Sequence, residues 1–244
     1  MRKIKYLIIC FFISANCWSQ KQIPGDDQNK TILLYNAKII TGVGTVFEDG
    51  FFGFSNGKID HLSISKPEKK YDLEIDLKGQ HIYPGFIALN STLGLVEISA
   101  VRASDDQREI GTFNPNIRSI IAYNAESRIV ETMRLNGVLI GQITPRGGVI
   151  SGSSSVVQFD AWNWEDALIV KNVGIHLNWP SPYTSKRLSS GERTIVKNKN
   201  YIKKVKEIKD FFTSSKSYLP NPNPINLEFE AMRNLYNGNE IIFL

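Results

Sequence analysis

The sequence predicts an α/β protein in which a small antiparallel β-sheet is followed by a region of alternating strands and helices. The sheet is predicted over residues 30–80, where short alternating apolar segments are separated by turn signals such as Asn56-Gly57. The second region rests on a strand–helix–strand order over residues 86–143, which is typical of a parallel pair. With 244 residues, the chain can form one large domain or two small ones.

The amino terminus has the layout of a secretory signal peptide. Three basic residues within the first five positions precede an apolar run over residues 6–15, and Ser19-Gln20 is a plausible cleavage point. The apolar run is too short to span a bilayer. We therefore expect residues 1–19 to be removed, which leaves a periplasmic or secreted protein with no transmembrane segment. A buried amino-terminal strand and a lipoprotein anchored at Cys17 are the alternatives.

Removal of this segment changes the charge and the cysteine content. The formal net charge falls from +5 to +2, because the segment holds three basic residues and no acidic one. A nucleic-acid partner is therefore not expected. Both cysteines, Cys10 and Cys17, lie in the segment, so the mature chain would contain no disulfide and no thiolate metal site.

Strand and helix signals then follow in a simple order. Residues 20–29 are polar and predict a flexible lead-in before the sheet. After Pro84-Gly85, a short apolar run predicts one buried strand. Apolar residues at helical spacing predict a helix over about 117–135, and the next strand spans residues 138–143.

A glycine- and serine-rich stretch after this strand is a candidate ligand loop. Its backbone N–H groups could contact an anion, but it lacks the Gly-Lys-Ser/Thr ending of a P-loop and the Gly-x-Gly-x-x-Gly pattern. A solvated turn is the alternative interpretation. The candidate ligand residues here are Gln142, Arg146, Gly147, Gly148, Ser151, Gly152 and Ser153.

Three other groups each have a functional and a structural interpretation. An acidic cluster can bind a cation, but such runs are more often solvated loops. Three tryptophans can line a ligand pocket, but packing is their more frequent role. A basic amphipathic helix can bind anionic lipid, although a solvated face is the simpler interpretation. The acidic cluster is Asp105, Asp106 and Glu109, the tryptophans are Trp162, Trp164 and Trp179, and the basic helix is predicted over residues 195–213.

Four short stretches carry a resemblance to a known family, at residues 36–40, 84–87, 136–138 and 147–152. Together they resemble the secreted, imidazolonepropionase-like branch of the amidohydrolase superfamily, over residues 31–166. The resemblance implies a β-sandwich part over residues 30–80 and a (β/α) TIM-like barrel over residues 81–244. An eight-stranded barrel takes roughly 250 residues, so the barrel is expected to be incomplete in this chain.

The same resemblance implies metal-assisted hydrolysis of C–N bonds in non-peptide or cyclic amides. The family has a His-x-His metal pair after its first barrel strand, where this chain has Asn90 and Thr92. Neutral oxygen donors suit zinc poorly, so we interpret both as degenerate metal positions and assign no metal ligand. Zinc or another divalent ion would need ligands from beyond Leu244. The cofactor, the catalytic residues and the oligomeric state are therefore left unassigned.

Three functions remain open. The first is an exported amidohydrolase-like hydrolase with a degenerate or incomplete metal site. The second is a non-catalytic periplasmic protein that binds a small molecule on the same scaffold. The third is an anion- or envelope-binding module that uses the basic helix.

Overall fold

The computed structural model describes residues 23–219 and 224–244, and the predicted signal peptide with both cysteines lies outside them. The described strands are β1 (Ile32–Ile40), β2 (Val46–Ser55), β3 (Lys58–Ser63), β4 (Leu73–Asp76), β5 (His81–Ile82), β6 (Phe86–Ser91), β7 (Val138–Ile143), β8 (Ile150–Gln158), β9 (Leu168–Leu177), β10 (Tyr183–Arg187), β11 (Arg193–Lys197) and β12 (Ile241–Phe243). The described α-helices are α1 (Arg128–Leu135), α2 (Trp164–Ala167), α3 (Tyr201–Lys216) and α4 (Leu227–Tyr236). None of these helices combines the length and the apolar character needed to cross a bilayer.

The first sheet has the order β3-β2-β1-β4, and β5 pairs with β1 beyond β4. The predicted antiparallel pairing is confirmed for β1, β2 and β3. Asn56 and Gly57 both have positive φ, at 50° and 69°, as a two-residue hairpin turn requires. Antiparallel pairing does not extend to β4 and β5, which run parallel to β1. The connection after β3 returns the chain to the opposite edge of β1, so β4 enters the sheet in the direction of β1.

The second sheet has the order β12-β9-β8-β7-β6. The predicted strand–helix–strand unit is confirmed, because β6 and β7 are parallel and α1 lies between them in sequence. The helix is shorter than predicted and begins at Arg128. The preceding residues bond elsewhere: Asn124 N donates to Gly94 O at 2.8 Å, and Ser127 Oγ contacts Glu97 Oε2 at 3.0 Å.

The predicted (β/α) TIM-like barrel is wrong, because the second sheet is mixed. Strand β8 is antiparallel to both of its neighbours, β7 and β9. Only six residues, 144–149, connect β7 to β8, and a parallel crossover needs a dozen or more. The chain therefore turns back as an antiparallel hairpin. A second parallel pair, β9 with β12, closes the other edge of the sheet, with α3 and α4 between these strands in sequence.

The helices cover one face of this sheet in two clusters. Val130 of α1 packs in the first cluster, which includes Ile143 and Val157. Ile208 of α3 and Met232 of α4 pack in the second. Side chains alternate between the two faces of a strand, so residues that alternate with these core positions lie on the opposite face. The candidate site lies on that face.

Candidate functional site

The strand ends place several polar side chains at one edge of the second sheet. Strands β6 and β7 are parallel, and β8 is antiparallel to both β7 and β9, so the carboxyl ends of β6, β7, β9 and β12 share this edge. We call this group the carboxyl edge, and it is defined by Asn90, Gln142, Arg146, Ser154 and His176.

Asn90 and Arg146 form the tightest contact of the carboxyl edge. Arg146 Nη1 donates to Asn90 Oδ1 at 2.6 Å, and Nη2 donates to the Asn90 carbonyl at 2.7 Å. Asn90 has a left-handed backbone, with φ of 51°, and the β6–β7 register shifts between Ala88 and Ser91. Arg146 therefore fixes both the side chain and the backbone of the residue at the predicted metal position.

A chain of hydrogen bonds continues from Asn90 across the sheet. Asn90 N donates to Gln142 Oε1 at 3.3 Å, and Gln142 Nε2 donates to Ser154 Oγ at 3.0 Å. Ser154 Oγ donates to Gly174 O at 3.4 Å. Gln142 and Ser154 are buried, and buried polar groups are rigid when they are paired in this way. The network joins β6, β7, β8 and β9.

The glycine–serine stretch is divided between a turn and a buried strand. At the turn, Ser151 Oγ donates to Gly147 O at 2.6 Å, and Asn178 Nδ2 donates to Gly148 O at 3.1 Å. Gly152 and Ser153 lie within β8, where Ser153 N donates to Ile117 O at 2.8 Å. The Ser153 N–H is thus already bonded. Among the candidate ligand residues, Gln142 and Arg146 are the ones that form hydrogen bonds with Asn90.

The residues at the predicted degenerate positions do not fit a metal ion. The left-handed backbone of Asn90 breaks the strand alternation that would align it with Thr92. The Asn90 side-chain oxygen already bonds a guanidinium, whose charge repels a cation. Within residues 23–219 and 224–244, no three His, Cys, Asp or Glu side chains form a group that could hold a metal ion.

The sequence favours a surface or core role for His176 over a ligand role, and the structure adds this residue to the carboxyl edge. His176 lies on β9 and stacks on Phe243 of β12, with ring centroids 4.7 Å apart. Its Nε2 atom is buried and has no hydrogen-bond partner among the described residues. Burial, and then the charge of Arg146, lower the pKa of His176 from 6.5 to about 4. The ring is therefore neutral at pH 7.

This shift predicts a pH dependence of stability. The unfolded chain binds a proton at His176 below about pH 6.5, and the folded chain resists that proton down to about pH 4. The contribution of His176 is thus complete above pH 6.5 and is lost as the pH falls towards 4. We expect wild-type protein to lose about 2 kcal/mol more than His176→Gln between pH 7 and pH 4. Urea unfolding at both pH values measures this difference.

His81→Gln is the control for this pH prediction, because His81 is exposed in the first sheet. The His81→Gln variant should show the same pH dependence of stability as wild type. If His176→Gln and His81→Gln lost stability by the same amount on acidification, the burial of His176 would not be the cause.

Trp164 and the basic helix pack in the two core clusters, whereas the segment that holds Asp105, Asp106 and Glu109 lies next to Arg146, whose N donates to Gln107 O at 2.6 Å. The predicted basic helix corresponds to α3, but it begins at Tyr201, because residues 195–197 belong to β11. Its apolar side packs on the sheet, and Phe211 stacks on Phe113 with centroids 4.5 Å apart. Trp164 packs against the first core cluster, while Trp162 and Trp179 are exposed.

Comparisons with known proteins show a likeness to a solved structure. No protein-family profile matches the chain, and no curated protein sequence matches it. Among solved structures, an amidohydrolase from Thermotoga maritima MSB8 is similar, with a TM-score of 0.68 and 20% identity. The similarity covers 84% of this chain and 55% of that chain, so this chain spans about half the length of that protein. It follows that the chain has an amidohydrolase-like fold.

Proposed function

We propose that this protein is an exported, amidohydrolase-like protein that binds a small amide or cyclic amide at the carboxyl edge. The observation that carries this proposal is the pair of hydrogen bonds from Arg146 to Asn90, at 2.6 and 2.7 Å. By the family resemblance, Asn90 stands where a metal ligand would be, and a guanidinium bonds it here. The fold likeness supports a hydrolase-like function, and the layout of residues 1–19 supports export.

An amide has an acceptor, its carbonyl oxygen, and a donor, its N–H, and Arg146 and His176 carry the complementary groups. A guanidinium has five N–H donors, and Asn90 takes up two of them. The remaining donors can bond a carbonyl oxygen, and the bond to a charged donor is stronger than a neutral one. The neutral His176 ring has an unpartnered Nε2 in the described part of the chain. Because that atom is buried, a ligand must displace the side chains that cover it before its amide N–H can donate there.

Two activities are consistent with such a site. Hydrolysis of the C–N bond is favoured by the likeness to an amidohydrolase. Binding without catalysis is favoured by the Arg146–Asn90 contact, because the guanidinium disfavours a cation at the first strand. Metal analysis of purified protein, together with amine release from cyclic amides, separates the two. Stoichiometric zinc would contradict the roles given to Asn90 and Thr92.

Arg146→Met is expected to weaken binding of 2-pyrrolidinone, a simple cyclic amide, by about tenfold or more. The loss reflects one hydrogen bond from a charged donor. Saturation-transfer NMR titration measures it. Arg128→Met is the matched control, because Arg128 is exposed on α1 and has the same charge. Equal affinities in wild type and Arg146→Met would refute a role for Arg146 in ligand binding.

Export is expected to produce a mature chain that begins at or near Gln20. The motivation is the positive start, the short apolar run and the small residues before position 20. Mass spectrometry of the periplasmic fraction tests this. An intact Met1 on cytoplasmic protein would reject export.

A further inference from the structure

A cleft lies beside the carboxyl edge, between residues 102–109 and 116–122, with Pro145 at its margin. Its volume is about 350 Å³, which falls within the range of small-molecule sites. Arg146 N donates to Gln107 O at 2.6 Å, so the cleft and the carboxyl edge are neighbours. None of the carboxyl-edge residues lines the cleft.

Three arginines line this cleft, and the backbone of two of them is anchored to the second sheet. Arg108 forms a parallel bridge with Arg146, and Arg118 forms a parallel bridge with Ser153. The segment between them is held by a third bridge, from Phe113 to Ile150. The backbone positions of Arg108 and Arg118 are therefore fixed by the sheet before any ligand binds, which lowers the entropy cost of binding.

The guanidinium groups of this cleft are only partly used by the protein. Arg102 Nη1 donates to Asp105 O at 2.6 Å. The side chains of Arg108 and Arg118 make no hydrogen bond or ion pair to any residue that the structure describes. Two acids, Asp106 and Glu109, also line the cleft, so its lining keeps a net positive charge of one. The net positive charge of the lining attracts an anion.

We propose that this cleft binds a small molecule that carries an oxyanion, a carboxylate or a phosphate, on Arg108 and Arg118. The planar guanidinium matches both groups with paired N–H donors. The two acids restrict the ligand to one with a compact anionic group, because further negative charge would meet Asp106 or Glu109. This site is independent of the amide site proposed above.

Calorimetric titration of the full chain at low salt, with inorganic phosphate and with acetate as separate probes, tests the proposal. Wild type should bind at least one of them saturably, and the stronger probe identifies the oxyanion. Arg108→Gln and Arg118→Gln should each weaken binding by about tenfold. Arg118→Lys keeps the positive charge but lacks the paired planar N–H donors, so it should weaken binding less than Arg118→Gln.

Arg128→Gln is the control, since it removes the same charge from the exposed face of α1. It should leave anion binding unchanged. Saturable binding that falls in both cleft variants, with unfolding temperatures near that of wild type, supports the cleft. If a glutamine variant fails to fold, Arg118→Lys carries the comparison. Lack of saturable binding of both anions by folded wild type overturns the proposal, as does equal weakening by Arg128→Gln.

Discussion

Phe159→Ala is expected to lower the free energy of unfolding by about 4 kcal/mol, as for other buried phenylalanines. The Phe159 side chain is 1% exposed and packs in the first core cluster with Ile143 and Val157. Its ring fills the space beside Gly141, where a Cβ would lie only 2.5 Å from Phe159 Cζ. Truncation would leave a cavity between the sheet and α1 that the rigid strands cannot close.

Urea unfolding measures this loss, and Phe86→Ala is the matched control. Phe86 lies on β6 in the same sheet, but it is 68% exposed. Its truncation is expected to cost less than about 1 kcal/mol. Similar losses in the two variants would show that Phe159 is not buried in the way described.

Gly152→Ala is expected to destabilise the protein by about 3 kcal/mol or more, through strain and a steric clash. Gly152 has φ of 129°, and a Cβ added there would lie 2.5 Å from the Ile117 carbonyl oxygen. That carbonyl also accepts the hydrogen bond from Ser153 N at 2.8 Å. The clash would therefore disturb the pairing of residues 117–118 with β8.

Gly137→Ala separates the cost of backbone strain from the cost of the steric clash. Gly137 has φ of 83° and no atom within 4 Å of an added Cβ, so its substitution carries the backbone strain without the clash. We expect a cost of about 1–2 kcal/mol there. Thermal unfolding of both variants measures the difference, and an equal cost at the two positions would exclude a clash with Ile117.

Local chemistry was sufficient for several elements of the fold. Asn56-Gly57 forms the predicted turn, because both residues adopt positive φ easily. The order of strand, helix and strand around α1 followed from apolar periodicity, and β6 and β7 are parallel as predicted.

Strand direction in the second sheet was decided by long-range pairing. A run of apolar residues has the same pattern in a parallel and an antiparallel strand, so the sequence could not show that β8 runs antiparallel between β7 and β9. The barrel expectation came from the family resemblance, but the connection over residues 144–149 is too short for a parallel crossover. The parallel direction of β4 likewise depends on long-range pairing and cannot be inferred from its apolar pattern.

The sequence by itself determined the chemistry available at the first strand, because no structure can turn Asn90 and Thr92 into imidazole ligands. It also identified Gln142 and Arg146 as candidates, since Gln142 lies near the end of the predicted strand over residues 138–143 and Arg146 follows it. Only the tertiary structure decided that Arg146 bonds Asn90 twice and that His176 is neutral. His176 lies 86 positions after Asn90 in the chain, and only the pairing of β7, β8, β9 and β12 brings it to the same edge. Burial and a nearby charge shift a pKa, and both arise from contacts between residues that are distant in sequence.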